Sequence, residues 1–383
     1  MRLTSRLWSR LVLLAIIAAG WFVVFETGLR LAGGTEAAPE FQRLFMPDSR
    51  IGYRLRPGVS SRFRTAEYDT TISINAQGVR DDEFGPKPAN ERRIVVLGDS
   101  LVMSVQVALQ QTFCKILEAR LNGLEANGPI HYRVINAGVQ GYATVEKYLF
   151  FTYVARAFEP DLVLVGLYPG NDTLQVWAAA SKLTAATTRR AATGQDQPAA
   201  EPTDSPLTWA RRIARRSMVL QIVQQRLKAL RDRFTPRAPS VPSALMAYLQ
   251  QPPPSVKEAL EVTHECVSRI AAEAAAQHAR TGVLLIPARF QVDDDDFSRL
   301  AQTVSEAGQI LERDAATERL TRALADLDVP VFDALPALRD AARGGNVYFL
   351  QTAHLTPRGH EAIGSALDAF LASSGLLRSG SAR

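Results

Sequence analysis

The chain has 383 residues, of which 46% are hydrophobic and 22% charged, and its formal net charge is +5. The hydrophobic share excludes a disordered chain, and the presence of only one long apolar run excludes a polytopic membrane protein. The two cysteines are too few for a disulfide scaffold or a cysteine-rich zinc module.

An uncharged apolar segment lies near the N-terminus. Residues 11–25 read LVLLAIIAAGWFVVF, and they follow Arg2, Arg6 and Arg10. Basic residues before an apolar helix hold that end in the cytoplasm. We therefore predict a transmembrane signal anchor over residues 1–32, in a single-pass protein of the cell inner membrane whose main domain is extracytoplasmic. A cleaved signal peptide, which would leave a secreted protein, is the alternative.

A change of pattern at residue 91 separates a lead-in from the main domain. Residues 33–90 mix short alternating stretches with Gly, Pro and Arg, which indicates a stalk or a strand-rich lead-in. After it, short apolar runs alternate with segments of helical spacing, and the runs lie at 94–97, 134–135, 162–167, 283–286 and 329–332. Such alternation predicts an α/β domain with a parallel sheet over residues 91–372, followed by a tail at 373–383.

One insertion interrupts this alternation. Residues 173–256 lie between the third and fourth predicted strands and include residues 185–206, which are rich in Ala, Thr, Gln and Pro. A basic amphipathic helix is predicted over residues 209–234, where apolar side chains recur at spacings of three, four and seven. Three interpretations stay open for this helix: packing on the core, lying on a membrane surface, or forming a lid.

The positive charge is concentrated in two segments. Residues 1–10 hold three arginines and no acid, and residues 173–256 hold twelve basic side chains against four acidic ones. The remaining residues are net acidic, so the balance does not indicate nucleic acid as a partner. It points instead to an anionic membrane surface or an acidic envelope glycan beside the insertion.

Chemically active residue types follow the predicted strands where each one ends. The segments are 98–100 (GDS), 136–141 (NAGVQG), 170–172 (GND) and, near the C-terminus, 354–360 (HLTPRGH). Ligands of doubly wound sheets bind beyond the carboxyl ends of the strands. A serine hydroxyl becomes a nucleophile when a histidine takes its proton, and amide donors stabilise the resulting oxyanion. These residue types therefore predict acyl transfer.

These four blocks resemble the SGNH hydrolases, also called the GDSL esterase/lipase family. The match reads VVLGDS over 95–100, INAGVQGY over 135–142, GLYPGND over 166–172 and HLTPRGH over 354–360, in the order of the family. The resemblance implies a three-layer α/β/α, flavodoxin-like fold without a cofactor or a bound metal. It also implies substrates that are esters or acetylated glycans.

The resemblance assigns a role to each site residue. It implies Ser100 as the nucleophile, whose own N–H also belongs to the oxyanion hole. It implies Gly141 as a backbone donor and Asn171 as a side-chain donor to the same oxyanion. It implies His354 as the general base.

One departure from the family pattern affects the histidine. The family usually has an aspartate two or three residues before it, whereas this chain has Thr352 and Gln351 there. Such an aspartate holds the imidazole in the useful tautomer. A backbone carbonyl or Asp333 could orient His354 instead, and a catalytically impaired enzyme is the alternative.

The sequence therefore predicts a serine ester hydrolase that acts on an O-acyl ester, specifically an O-acetyl ester, of a cell-envelope or extracellular glycan or lipid. Two alternatives stay open: an O-acetyltransferase acting on an exopolysaccharide, and an impaired SGNH-fold protein that binds glycan. The sequence does not decide whether Cys114 and Cys266 pair.

Overall fold

The computed structural model describes residues 41–124, 129–172 and 240–377, together with isolated helical positions between residues 10 and 27. The strands are β1 (Phe45–Asp48), β2 (Gly52–Leu55), β3 (Ser60–Arg64), β4 (Asp69–Ser73), β5 (Glu91–Gly98), β6 (His131–Gly138), β7 (Leu162–Leu167), β8 (Arg280–Leu285) and β9 (Val331–Asp333). The α-helices are α1 (Ser100–Met103), α2 (Phe113–Leu124), α3 (Thr144–Tyr153), α4 (Pro169–Asp172), α5 (Pro254–Ala275), α6 (Arg289–Val292), α7 (Asp294–Glu306), α8 (Ala315–Ala323), α9 (Leu335–Ala342) and α10 (Pro357–Ser374). Short 3₁₀ helices cover Leu109–Gln111, Ala155–Phe158 and Ser243–Tyr248.

The last five strands form one parallel sheet in the order β6-β5-β7-β8-β9. Counted along the chain within this sheet, the order is 2-1-3-4-5, which is flavodoxin-like. The predicted parallel sheet is confirmed, and each predicted apolar run lies in or next to one of its strands. The last strand begins two residues later than predicted, after Pro330, because proline lacks the N–H that a ladder needs.

The sheet has a core on each face, and β5 explains why. Successive side chains of a strand point to opposite faces. Val95 and Leu97 belong to the core that contains α3 and α5, whereas Ile94 and Val96 belong to the core that contains α2 and α10. Helices therefore cover both faces, as a three-layer arrangement requires.

The two cysteines lie in different cores. Cys266 belongs to the core with α3 and α5, and Cys114 belongs to the core on the other face of the sheet. Both are buried free thiols. Burial raises the pKa of Cys266 to about 12, so this thiol is un-ionised at neutral pH.

The described part of the lead-in, residues 41–90, folds as two antiparallel ribbons, β1–β2 and β3–β4. Its apolar side chains join the core that contains α3 and α5, and they are Leu44, Ile51, Leu55, Phe63, Ile72, Ile74, Val79 and Phe84. The lead-in ribbons therefore share a core with the α/β sheet.

Much of the insertion, including residues 185–206 and the basic helix predicted over 209–234, lies outside the described residues. Its last residues add Leu245, Tyr248 and Leu249 to a third, smaller core with α6, α7 and α8. Most of the predicted anchor, residues 1–32, also lies outside the described part. No helix among the described residues combines the length and the apolar character needed to cross a membrane.

Candidate active site

Ser100 is the first residue of α1 and follows β5 after a single residue. That residue, Asp99, caps the helix, because its Oδ1 accepts the N–H of Leu101 at 2.9 Å. Asp99 is buried, whereas Ser100 is half-exposed. The turn therefore presents the Ser100 hydroxyl at the carboxyl end of a central strand, where ligands of such sheets bind.

Three glycines at neighbouring strand ends let α1 pack directly on the sheet. A Cβ atom on Gly98 would lie 2.0 Å from Val102 Cγ2, and one on Gly166 would lie 2.9 Å from the same atom. A Cβ atom on Gly138 would lie 2.3 Å from the backbone nitrogen of Met103. These separations are shorter than any van der Waals contact, so the ends of β5, β6 and β7 need glycine for α1 to sit where it does.

The loop with Gly141 is a tight turn held by the lead-in. The N–H of Tyr142 donates to the carbonyl of Val139 at 3.2 Å, and Gly141 has a φ of +80°, the left-handed region that glycine adopts readily. The Tyr53 hydroxyl donates to the carbonyl of Gln140 at 2.8 Å. Burial raises the pKa of Tyr53 to about 12, so it stays a donor at neutral pH. This contact holds the peptide before Gly141 in place.

Asn171 lies in the short helix α4, and its side chain is outside the described residues. The backbone around it is held by its neighbour, because the N–H of Asp172 donates to the carbonyl of Tyr168 at 2.9 Å. The predicted role of the Asn171 amide as an oxyanion donor therefore stays a prediction.

Asp172 is fully buried against an equally buried cation. Lys147 Nζ lies 2.8 Å from its Oδ1 and 2.7 Å from its Oδ2. Its carboxylate also accepts the Thr144 hydroxyl at 2.9 Å and the Tyr168 N–H at 2.8 Å. Burial raises the pKa of Asp172, and the Lys147 ammonium opposes that rise. The pair fixes the end of the Asn171 segment to α3.

His354 is oriented by a backbone carbonyl. Its Nδ1 lies 2.8 Å from the carbonyl oxygen of Thr352. A carbonyl oxygen only accepts, so the neutral ring carries its proton on Nδ1 and leaves the Nε2 lone pair available. Ala353, between the two, has a φ of +52°, a left-handed conformation uncommon for a residue with a side chain. The N–H of Phe349 donates to the carbonyl of His354 at 2.8 Å, and this hydrogen bond closes the loop 349–354.

The sequence left two candidates for the group that orients His354 in place of the missing aspartate, namely a backbone carbonyl and Asp333. Asp333 ends β9, and its Oδ1 accepts the N–H of Leu335 at 2.9 Å. Among the described residues, the groups that shift the pKa of His354 besides its own burial are Thr352 and Asp99. Because the Thr352 carbonyl already occupies Nδ1, the hypothesis that Asp333 orients His354 is wrong. Burial lowers the pKa of His354 despite the opposing effects of the Thr352 carbonyl and the Asp99 carboxylate.

The fold brings the motif segments to one end of the sheet. Gly98 and Gly138 are register partners, and the N–H of Val139 donates to the Gly98 carbonyl at 3.0 Å. Within the described residues, Ser100 Oγ and the His354 ring do not hydrogen-bond.

Arg80 is a site-supporting residue that the sequence analysis missed. Its guanidinium, almost fully buried, donates to the carbonyls of Met103 at 2.7 Å and Val107 at 2.5 Å, and also to that of Ser104. These carbonyls end or follow α1, so a lead-in side chain holds the far end of the helix that begins at Ser100. Burial lowers the pKa of Arg80 to about 10, and it stays charged at neutral pH.

Fold and site together define an α/β protein with a serine, a glycine turn, an asparagine segment and a carbonyl-oriented histidine at one sheet end. The resemblance to SGNH hydrolases placed these residue types here, and the catalytic roles that it implied stay predictions. No protein-family model matches the chain, and no curated protein matches it.

Solved structures that match the chain include lipolytic proteins and esterases. A lipolytic protein of the G-D-S-L family from Desulfitobacterium hafniense is 11% identical, with 72% of this chain and 98% of that chain covered and a TM-score of 0.36. An acetyl-xylooligosaccharide esterase from Geobacillus stearothermophilus is 12% identical, with 76% and 97% covered and a TM-score of 0.38. An acetyl xylan esterase, AlAXEase, is 10% identical, with 73% and 99% covered and a TM-score of 0.38. The resemblance to the SGNH hydrolases rests on the four motifs and their places in the fold.

Proposed function

We propose that the chain is a serine ester hydrolase that works through an acyl-enzyme on an O-acyl ester, specifically an O-acetyl ester, of an envelope or extracellular glycan or lipid. The observation that carries this proposal is the 2.8 Å contact between His354 Nδ1 and the Thr352 carbonyl. It supplies the tautomer control that the absent aspartate would supply. This contact supports an active hydrolase over the alternative of an impaired glycan-binding protein.

In the proposed reaction, Nε2 of His354 takes the proton of Ser100 Oγ as that oxygen attacks the ester carbonyl. The imidazolium that forms keeps its Nδ1–H on the Thr352 carbonyl. The buried Asp99 carboxylate also favours the charged ring. Nε2 then gives its proton to the leaving alcohol oxygen, and a water molecule activated by the same nitrogen releases the acid.

The tetrahedral intermediates carry a negative charge on the former carbonyl oxygen. The donors proposed for it are the N–H groups of Ser100 and Gly141 and the side-chain amide of Asn171. Support comes from the short turn after β5, the Gly141 turn held by Tyr53, and the anchored segment around Asn171. Losing one such donor typically costs about 10²–10³ in rate.

The pH dependence of the reaction follows from the burial of His354. Its pKa lies below the ordinary value of 6.5, so the neutral base is fully formed at neutral pH. We expect kcat/KM for p-nitrophenyl acetate to be flat around pH 7 and to fall on acidification, with a midpoint below 6.5. Circular dichroism at each pH separates this loss from unfolding, because burial also lowers the pKa of His360, to about 3, and its protonation destabilises the fold at acid pH. A midpoint above 6.5 would contradict the assignment of His354 as the base.

The glycan part of the proposal rests on the apolar, arginine-flanked N-terminal segment, which would tether the domain to the outer face of the inner membrane. Retention of the full chain in membranes after alkaline carbonate washing would support the tether, and complete release would contradict it. Free acetate from an acetylated polysaccharide supports hydrolysis. Transfer of acetyl groups to a second glycan, without free acetate, identifies the acetyltransferase alternative.

A fluorophosphonate probe tests the reaction class directly. Such probes phosphonylate a serine oxygen that is activated by a base. We expect the wild-type chain to be labelled and Ser100→Ala to stay unlabelled. Labelling of neither chain, while both are folded by circular dichroism, would refute the proposed chemistry.

A further inference from the structure

A carboxylate from the lead-in binds the backbone of the histidine loop. Glu67 lies in the turn between β3 and β4. Its Oε1 accepts the N–H of Leu350 at 2.8 Å, and its two carboxylate oxygens accept the N–H of Gln351 at 3.1 and 3.0 Å. The donors are main-chain groups that lie 283 and 284 residues further along the chain. Hydrogen bonds to an ionised acceptor are stronger than neutral ones.

An arginine side chain binds the carbonyl groups of the same loop. The Arg289 guanidinium donates to the carbonyl of Phe349 at 3.4 Å and also to that of Leu350. Arg289 is itself paired with Asp296 through contacts of 2.9 and 3.0 Å. The N–H groups of the loop therefore face a carboxylate, and its carbonyls face a guanidinium.

The carboxylate contact ends one residue before the carbonyl that orients His354. Gln351 precedes Thr352 directly, so the position of the Gln351 amide limits where the Thr352 carbonyl can point. The Thr352 hydroxyl does not hold this peptide, because it is buried without a hydrogen-bond partner in the described structure. The aromatic contact between Tyr68 and Phe349, with centroids 5.8 Å apart, adds a second link between the turn and the loop.

We infer that Glu67 is a positioning residue, which holds the loop 349–354 so that the Thr352 carbonyl stays on Nδ1 of His354. It acts from a distant part of the chain on the function that an aspartate beside the histidine has in the family pattern. The inference deepens the proposed ester hydrolysis and rests on it. The alternative is that the contact between Glu67 and the loop 349–354 stabilises the fold and has no effect on His354.

The test compares Glu67 with a nearby carboxylate, Asp69, which begins β4. Glu67→Gln keeps the shape but loses the charge, and we expect kcat for p-nitrophenyl acetate to fall about 10-fold with KM within about twofold. Glu67→Ala should lose about 10–100-fold. Asp69→Asn is the matched control, because Asp69 is exposed and pairs with Arg62 on the neighbouring strand at 2.7 Å. We expect this control to match the wild type.

Two readouts separate positioning from folding. The Thr352 contact raises the pKa of His354, so its loss in Glu67→Gln should move the acid limb of kcat/KM to lower pH, while the charge interactions of His354 with Asp99 and His360 stay unchanged. In ¹⁵N-histidine spectra, the wild type should show the Nδ1–H tautomer of His354, and Glu67→Gln should show a mixture. The spectra do not depend on turnover.

Three results would overturn the inference: unchanged kinetics in Glu67→Gln, a loss of activity that follows only the folded fraction with an unmoved acid limb, or a wild-type His354 protonated on Nε2. A wild type that shows the Nδ1–H tautomer, and loses it in Glu67→Gln, supports the inference even if no ester is cleaved. That last result would count against the proposed function alone.

Discussion

We expect Ser100→Ala and His354→Ala each to lower kcat/KM for p-nitrophenyl acetate by about 10⁴–10⁶-fold, and the double variant to lose no more than either single one. The reason is that the two side chains perform one proton transfer. Without the base the hydroxyl is not a nucleophile, and without the hydroxyl the base has no proton to take. Burst and steady-state kinetics on the three variants measure the effect.

His264→Ala is the matched control for the histidine. His264 is partly exposed and lies 3.0 Å from Asp326, so its loss should leave kcat/KM unchanged. Losses that multiply in the double variant would mean that Ser100 and His354 act independently, which contradicts the proposed reaction. Substantial activity remaining in Ser100→Ala would assign the nucleophile elsewhere.

The second large expected effect concerns the buried ion pair between Lys147 and Asp172, the residue that follows Asn171. We expect Lys147→Met to lower the free energy of unfolding by about 3–5 kcal/mol, because it leaves the Asp172 carboxylate buried without its cation. Urea unfolding followed by circular dichroism measures the change. Lys257→Met is the control, since Lys257 is exposed and its contact with Glu261 is 3.8 Å. Its effect should stay within about 0.5 kcal/mol.

The same variant reports on the Asn171 segment. The Asp172 carboxylate accepts hydrogen bonds from both the Tyr168 N–H and the Lys147 ammonium. Protonation or movement of this carboxylate therefore displaces the helix that carries Asn171. We expect Lys147→Met to lose kcat even at temperatures where it is fully folded. Wild-type stability in Lys147→Met would contradict the view that this pair anchors the segment.

The sheet was predictable because its signals are local. Each of its strands contains or adjoins a short apolar run, of which Leu162–Leu167 is the longest, and parallel strands buried on both faces have that composition. The glycines at 98, 138 and 141 were equally visible, since each belongs to a motif beside a strand end. The steric need for them became clear only when Val102 and Tyr53 were placed against them.

The supporting contacts were not predictable, because each joins residues far apart in the chain. Arg80 and Glu67 have no neighbours in sequence that distinguish them from ordinary surface charges. A buried Arg80 that binds helix-end carbonyls, or a Glu67 that binds loop amides, follows only from tertiary packing. The Lys147–Asp172 pair is of the same kind. The domain boundaries, the membrane anchor and the Asn171 side chain stay predictions.

The lead-in ribbons have a consequence for the smallest functional fragment. The described lead-in, residues 41–90, covers one face of the sheet with apolar side chains, and it supplies Tyr53 to the glycine turn, Arg80 to α1 and Glu67 to the histidine loop. A chain shortened to residues 91–372 would keep every motif and still lose the contacts that hold three of them. We therefore expect that residues 91–372 do not fold stably by themselves, and that proteolysis within residues 41–90 would abolish the proposed activity.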